Sequence, residues 1–190
     1  MIDCGPLMTG LDYDNDHIIE ICCVLTDKDL NIIEDKGFES VIHYPKDTMD
    51  KMGAWCVKQH GESGLTEKVI KSTNTLAEVE EKLFKYLSEH IGRSNRGVLA
   101  GNSVHIDRIF LTKEFPKVIN YLHYRQVDVS TIREVGNRHN PELMSKVPEK
   151  KHNHTARDDI LESIDELRWY YKNYLIAPRE LPSDTKLQKN

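Results

Sequence analysis

An α/β fold with a mixed sheet is what the order of segments in this sequence predicts. Three β-prone segments joined by short turns fall within residues 1–43, which indicates antiparallel strands. Beyond residue 75, short apolar runs alternate with segments of helical period, which indicates strands and helices in alternation. The 190 residues contain no internal repeat and no long linker, so we expect a single domain.

The first half is expected to place strands before helices. Residues 1–4 have the character of a strand end, 5–16 of a polar loop, and 17–26 (HIIEICCVLT) of a strong strand. One or two further strands are predicted within 30–43. The helices that follow are predicted at 47–59, 65–71 and 75–90, the last with a capping box from Thr75 to Glu78.

The segment 97–115 (GVLAGNSVHIDRIFLTKEF) is central to the second half. Its apolar run 98–100 predicts a buried strand, and Gly101-Asn102-Ser103 predicts a turn. The remainder has helical period, and Ser103 is expected to cap that helix. The later elements are predicted as a strand at 124–129, a helix capped by Ser130 and a long helix at 155–175.

Composition narrows the function classes. The net charge of −5 gives no indication of a broad basic surface for nucleic acids. It does not exclude a nucleic-acid enzyme, because a short substrate held at divalent metals needs no such surface. No apolar run is long enough to span a membrane, and no signal peptide is recognisable. The four cysteines form no C-x-x-C pair and are expected to be reduced thiols of an intracellular, not secreted, protein. We expect a domain at 1–176 and a polar, disordered tail at 177–190.

Three acids and one histidine stand near the ends of predicted elements. Asp3 ends the first strand, Asp107 begins a helix, and His154 precedes the last helix, in whose first turns Asp159 lies. Carboxylates that meet at the end of a sheet form an all-oxygen site suited to Mg²⁺ or Mn²⁺, and two such ions can clamp the reacting oxygens of a phosphodiester. A nearby histidine can take the proton of the attacking water. Plain structural roles remain open, because acids are favoured in the first turn of any helix.

Several motifs extend this pattern over most of the chain. The most specific are AGNSVHIDR at 100–108, HYRQVDVST at 123–131 and HTARDDILES at 154–163. Further segments are Ile2-Asp3-Cys4, MTGLD at 8–12, IIEI at 18–21, Trp55-Cys56 and HGESGLT at 60–66. In this order and spacing, the sequence resembles the oligoribonuclease family, within the DEDDh group of 3′-to-5′ exonucleases on the ribonuclease H-like fold.

The resemblance implies a fold, an activity and partners. The fold is a five-stranded mixed sheet, three antiparallel strands followed by parallel strands, flanked by helices. The activity is 3′-to-5′ hydrolysis of short single-stranded RNA, dinucleotides especially, to 5′-mononucleotides at a two-metal site for Mg²⁺ or Mn²⁺. The protein would act as a homodimer, without a membrane, in the mitochondrion or the cytoplasm.

The resemblance also implies residue roles. Asp3, Asp107 and Asp159 would be metal-binding carboxylates, and His154 would be the general base. Six residues would contact the substrate: Leu11 and Trp55 on the bases, His60 and Ser103 near the phosphates, and Tyr124 and Arg125 from the neighbouring subunit at the 5′ end. By residue type alone, a tryptophan on an amphipathic helix and a tyrosine that opens a strand are more often packing residues.

One segment departs from the family pattern. The family reads IDCEMTGL and this chain reads IDCGPLMTGL, so Gly5-Pro6-Leu7 replaces the glutamate of a D-x-E pair. Because residues two apart on a strand share a face, D-x-E aims two carboxylates at one metal pair. We expect Gly5-Pro6-Leu7 to interrupt a truncated first strand. We expect none of Glu20, Asp12 and Asp14 to restore the full geometry.

Two hypotheses follow from this departure. The first is an exoribonuclease whose metal binding and activity are weakened. The second is a catalytically impaired relative that binds short RNA or dimerises. Metal-dependent hydrolysis distinguishes the two. A third idea, zinc held by His152, His154 and cysteines, is disfavoured because the cysteines lie far apart in the sequence.

Overall fold

The computed structural model describes residues 2–149 and 155–175, and for Ile2, Asp3, Cys4 and Pro6 it describes the backbone alone. His154 and the expected tail at 177–190 therefore lie outside the described residues. Within them, no helix combines the length and the apolar character that a membrane span requires.

A five-stranded mixed sheet forms the centre of the fold, in the order β3-β2-β1-β4-β5. The first three strands pair in antiparallel fashion, and β4 and β5 continue the sheet in parallel with β1. This confirms the predicted mixed sheet. The strands are β1 Ile2–Met8, β2 Ile18–Leu25, β3 Phe38–Val41, β4 Leu99–Gly101 and β5 Gln126–Asp128.

Helices flank the sheet. In the described part of the chain they are α1 Lys46–Asp50, α2 Ala54–Glu62, α3 Leu65–Lys71, α4 Leu76–Ile91, α5 Val104–Glu114, α6 Pro116–Tyr121, α7 Val129–His139, α8 Pro141–Met144 and α9 Ala156–Asn173. The capping box before α4 is present: the Glu78 amide donates to Thr75 Oγ1 at 3.3 Å, and the Thr75 amide donates to Glu78 Oε2 at 2.8 Å.

Strand β2 is buried on both faces and holds two helical layers together. Ile21, Cys23 and Leu25 pack in one cluster with side chains of α4 and α5. Cys22 and Val24 point to the opposite face and pack with α9. This alternation explains why the segment is apolar on both faces except at Glu20, which is half-buried. Cys22 and Cys23 are buried free thiols, as the sequence predicts.

Strand β1 is continuous through the unusual Gly5-Pro6-Leu7 segment. All three residues pair in register with β2, and the ladder is irregular only between Leu7 and Met8. The expectation that this segment interrupts the strand is therefore wrong. Proline lacks a backbone N–H and cannot donate a ladder bond. β4 pairs only with Ile2 and Asp3, so among the described strands no ladder bond forms at Pro6 on the side of β1 that faces β4.

The segment 47–59, predicted from the sequence as one helix, forms two helices. The chain leaves α1 at Asp50 and restarts at Ala54, with Gly53 in an extended conformation between them. This break turns α2 so that its exposed residues border the end of β1, where the candidate site lies.

Candidate functional site

A cleft of about 440 Å³ lies where the end of β1, the following loop, α2 and α9 meet. Among the residues whose side chains are described, four of the predicted site residues line it: Leu11, Trp55, His60 and Asp159. The remaining lining residues are Leu7, Met8, Gly10, Cys56 and Gln59. The cleft therefore combines a carboxylate with two large apolar side chains at the end of the sheet.

Leu11 and Trp55 are solvent-exposed although they are apolar. The exposed fractions are 71% for Leu11 and 66% for Trp55. The interpretation of Trp55 as an ordinary core residue is therefore wrong. Because both side chains border the same cleft, they offer apolar surfaces on which a planar group can stack.

His60 connects α2 to the end of β1. Its side chain is buried, and Nε2–H donates a hydrogen bond of 3.0 Å to the carbonyl oxygen of Met8. Burial lowers the pKa of His60, and the hydrogen bond to Met8 opposes that shift only in part. The buried environment thus favours the neutral form of His60 in the wall of the cleft.

Asp159 lies in the first turn of α9. That helix begins at Thr155, whose side chain accepts a hydrogen bond of 3.2 Å from the amide of Asp158. The carbonyl of Asp159 accepts from Ser163 Oγ at 2.9 Å, and Ser163 Oγ in turn accepts from Asn102 Nδ2 at 2.7 Å. The start of α9 is therefore tied to the turn between β4 and α5.

Asp107 lies in the first turn of α5 and is half-buried. Burial raises its pKa to about 7, and the negative charge of Asp128 adds to the shift. A half-buried carboxylate beside a second acid is destabilised in its ionised form, and a bound cation reverses that cost. The donor atoms are oxygens, the ligands that divalent Mg²⁺ and Mn²⁺ prefer, so these residues fit such an ion.

Ser103 precedes α5 but does not cap it with its side chain. Its φ is +53°, in the left-handed region that non-glycine residues seldom adopt, and the helix start has no side-chain cap bond. The expectation of a capping Ser103 is therefore wrong. Its amide instead donates to Asp128 Oδ1 and Ser130 Oγ, both at 3.1 Å.

Asp128 is the residue that sequence reasoning missed. Its carboxylate accepts from the amide of Ser130 at 3.0 Å, so Asp128 rather than Ser130 caps α7. It also holds the amide of Ser103 and raises the pKa of Asp107. An aspartate directly before an apolar helix start is an N-cap signal, and Asp128 lies within the HYRQVDVST segment.

The register of β1 decides what reaches the cleft from that strand. Asp3 pairs with Val24 on one side and Ala100 on the other, and its side chain is outside the description. A Cβ atom on Gly5 would lie 3.2 Å from Ile160 Cγ1 in α9, and Leu7 lines the cleft with Asp159. Positions 5 and 7 thus face the start of α9. Asp3 precedes position 5 by two residues, which is about 6.6 Å along the strand.

The described part of the chain contains no cluster of three or more histidine, cysteine, aspartate and glutamate side chains that could hold a metal. Asp107 and Asp159 are described, but the side chain of Asp3 and the whole of His154 are not. Asp12 has other partners, because its carboxylate accepts from the amide of Asp14 at 3.0 Å and from Asn15 Nδ2 at 2.9 Å.

Tyr124 and Arg125 lie outside the cleft of their own chain, between α6 and β5. Tyr124 is 69% exposed. Its ring stacks on His123 with centroids 4.6 Å apart, and the guanidinium carbon of Arg125 lies 5.4 Å from the ring centre. The pair forms an exposed aromatic and cationic surface.

Comparisons with known proteins agree with this architecture. Residues 7–167 match the family model described as Exonuclease (RNase_T). The chain is 54% identical over 188 residues to a protein of Saccharomyces cerevisiae named "Oligoribonuclease, mitochondrial", covering 96% of this chain and 69% of the relative. It is 45% identical over 174 residues to "Oligoribonuclease" of Neisseria meningitidis serogroup B, covering 90% of this chain and 91% of the relative.

Solved structures support the fold. Exonuclease I of E. coli in complex with a dA16 oligonucleotide superimposes with a TM-score of 0.70 at 12% identity, covering 92% of this chain and 41% of the other. At this identity the likeness shows the fold alone. Since the family model covers most of the chain and the sequence relatives match over most of their length, this protein belongs to the exonuclease family and, within it, to the oligoribonucleases.

Proposed function

We propose that this chain is a 3′-to-5′ exoribonuclease that degrades short oligoribonucleotides, dinucleotides especially, to 5′-mononucleotides. The observation that carries the proposal is the cleft in which exposed Leu11 and Trp55 stand beside Asp159. A cleft of about 440 Å³ has the size of a small-ligand site rather than of a channel for a long strand. Family membership supports the same conclusion.

The catalytic centre of this proposal consists of Asp3, Asp107, Asp159 and His154. The three carboxylates would hold two divalent ions, Mg²⁺ or Mn²⁺, and the raised pKa of Asp107 supports a place for positive charge. When bound, such ions stabilise charge on the attacking and leaving oxygens of a phosphodiester. His154 would accept the proton of the attacking water.

Substrate binding in this proposal depends on two kinds of contact. Leu11 and Trp55 would sandwich the bases, each stacked base contributing roughly 1–3 kcal/mol. His60 and Ser103 would contact the substrate near its phosphates. A hydrogen bond within the protein holds each of them, from His60 to Met8 and from Ser103 to Asp128. Neither therefore has to be ordered when the substrate binds.

The active form in this proposal is a homodimer. Tyr124 and Arg125 would reach the cleft of the neighbouring subunit and close the 5′ end of the substrate, which would explain a preference for very short RNA. The exposure of Tyr124 and the position of Arg125 over its ring support an external partner for this surface. The relatives named mitochondrial support a mitochondrial location, which co-localisation of a tagged chain with a mitochondrial marker tests.

A second candidate is a protein that binds short RNA without hydrolysis. Its single support is Gly5-Pro6-Leu7, because positions 5 and 7 of β1 carry no carboxylate toward α9. The close relation to oligoribonucleases favours the enzyme.

The direction of hydrolysis tests the enzyme proposal. A 5′-labelled RNA of about seven residues is incubated with the purified chain and a divalent metal, beside Asp107→Asn and Asp159→Asn. We expect labelled products that shorten stepwise from the 3′ end, and no products from either variant. A labelled mononucleotide released first would indicate the opposite polarity and contradict the proposal.

A further inference from the structure

We propose that Asp16 is a positioning residue for Leu11, and that it acts by ordering the loop that carries Leu11 across the cleft. This loop comprises residues 9–17. The inference rests on the proposed function, in which Leu11 contacts a base. Nothing in the roles derived above uses Asp16.

Leu11 cannot be held in place by its own packing. Its side chain is 71% exposed, and its neighbours from Gly10 to Asn15 are mostly exposed as well. An exposed leucine on a polar loop presents a fixed surface only if hydrogen bonds order the backbone beneath it. The contacts that order this loop therefore decide whether Leu11 is available for stacking.

The carboxylate of Asp16 provides such contacts inside the loop. Oδ1 accepts from Thr9 Oγ1 at 2.7 Å, and Oδ2 accepts from the amide of Asp12 at 2.8 Å. These two bonds bracket Leu11 on both sides along the chain. Thr9 is almost completely buried, and its hydroxyl also accepts from the amide of His17 at 3.0 Å. One carboxylate thus joins the two ends of the loop.

The space around Gly10 shows how closely the loop is built on this carboxylate. A Cβ atom on Gly10 would overlap Asp16 Oδ2 and lie 2.9 Å from Asp16 Oδ1. The carboxylate therefore fills the volume that a side chain at position 10 would need. Loss of the carboxylate would leave the Thr9 hydroxyl and the Asp12 amide without their acceptor.

The loop is anchored to the helix that carries Asp107. Lys113 Nζ donates to the carbonyl oxygens of Tyr13 at 2.6 Å and Asp16 at 2.9 Å. Glu114 is buried, and its two carboxylate oxygens accept from His17 Nδ1 and from the amide of Ile18, both at 2.8 Å. Asp16 therefore connects the part of the loop that carries Leu11 to the part that is fixed on α5.

The first test measures loop order without RNA. Hydrogen exchange of the 9–17 segment is compared in the full chain, in Asp16→Asn and in Asp14→Asn. Asp14 is the matched control because it is an exposed acid of the same loop. We expect exchange at least about tenfold faster for Asp16→Asn and unchanged exchange for the control. Unchanged exchange in Asp16→Asn would overturn the proposal.

The second test asks whether Asp16 acts through Leu11. The dissociation constant of an RNA dinucleotide with a non-hydrolysable linkage is measured for Asp16→Asn in the wild-type and Leu11→Ala backgrounds. We expect a rise of about tenfold in the first background and less than about twofold in the second. Equal rises in both backgrounds, the result of a general structural role, would contradict the proposal.

A second pair of variants covers the case in which Asp16→Asn does not fold. Thr9→Val removes the hydroxyl that bonds Asp16, whereas Thr9→Ser keeps it, so only the valine variant should reproduce the effects expected for Asp16→Asn. If the wild-type chain binds no dinucleotide, the proposed function fails. Hydrogen exchange then decides the positioning role of Asp16 by itself.

Discussion

The amide of Ser103 donates a hydrogen bond of 3.1 Å to Oδ1 of Asp128, and this contact joins the ends of two neighbouring parallel strands. The same oxygen accepts from the amide of Ser130 at the start of α7. Ser103 has a φ of +53°, which costs free energy for a serine and needs outside support. Asp128 therefore stabilises the turn that leads from β4 to Asp107.

Removal of this carboxylate should destabilise both turns. Asp128→Ala deletes an N-cap and the acceptor for Ser103, so we expect the free energy of unfolding to fall by about 1–2 kcal/mol. Urea denaturation followed by circular dichroism measures it. Asp47→Ala is the control, since Asp47 is an exposed first-turn acid of a short helix and should change stability by only about 0.5 kcal/mol or less. Equal losses in the two variants would contradict the role of Asp128.

The raised pKa of Asp107 predicts how stability depends on pH in the absence of metal. The folded protein holds a proton on Asp107 up to about pH 7, while the unfolded chain releases it near the ordinary pKa of 3.8. The folded state therefore binds more protons between these two values, and the contribution of Asp107 to stability falls as the pH rises from 3.8 to about 7. Above that range the half-buried carboxylate of Asp107 is ionised, and its destabilising effect on the folded state is greatest.

Asp107→Asn tests this sign. The variant should be more stable than the wild type by on the order of 2 kcal/mol at about pH 8, and no more stable at about pH 4. Thermal unfolding in EDTA at the two pH values measures the difference. Addition of a divalent metal should remove the advantage of the variant, because the ion compensates the charge of Asp107. A pH-independent difference would show that Asp107 does not titrate as described.

The exposed apolar pair in the cleft should affect binding and leave stability nearly unchanged. Leu11→Ala and Trp55→Ala remove side chains that pack little against the protein, so unfolding should change by about 0.5 kcal/mol or less. The dissociation constant of an RNA dinucleotide should rise about 5- to 100-fold for each. Val57→Ala is the control, because Val57 is 44% exposed on the same helix but does not line the cleft. Isothermal titration calorimetry measures these dissociation constants. An equal rise for Val57→Ala would contradict a specific role of Leu11 and Trp55.

The register of β1 predicts where a missing carboxylate can be restored. Leu7 lines the cleft with Asp159, so Leu7→Glu should raise the affinity for Mn²⁺ by about 10-fold or more. Leu7→Gln has the same shape without the charge and should leave the affinity unchanged. Electron paramagnetic resonance titration of Mn²⁺ measures both variants without reference to activity. An equal response to Glu and Gln would place the metal site away from position 7.

Local signals in the sequence predicted a large part of the fold. The capping box at Thr75, the β-prone composition of β2 and the start of α9 after Thr155 depend on residues close together in the chain. The short helices α6 and α8 were missed, since each has only a few residues and begins at a proline that reads equally well as a turn.

The candidate site was less accessible to sequence reasoning. Motifs indicated Asp107 and Trp55, but the periodicity of the segment revealed neither the break at Gly53 nor the 66% exposure of Trp55 in the helix that follows. The charge of Asp128 beside Asp107 arises from the pairing of β4 with β5, which is a long-range contact. The continuity of β1 through Pro6 likewise depends on which strand lies beside it.

Hydrolysis of an RNA dinucleotide by the unaltered chain is the direct test of the proposed exoribonuclease activity. The purified protein is incubated with a 5′-labelled dinucleotide in Mg²⁺, in Mn²⁺ and in EDTA, beside Asp159→Asn. We expect release of labelled mononucleotide with a divalent metal, none in EDTA and none from the variant. Failure of the unaltered chain to cleave with either metal, or cleavage that persists in EDTA, would contradict the proposed activity.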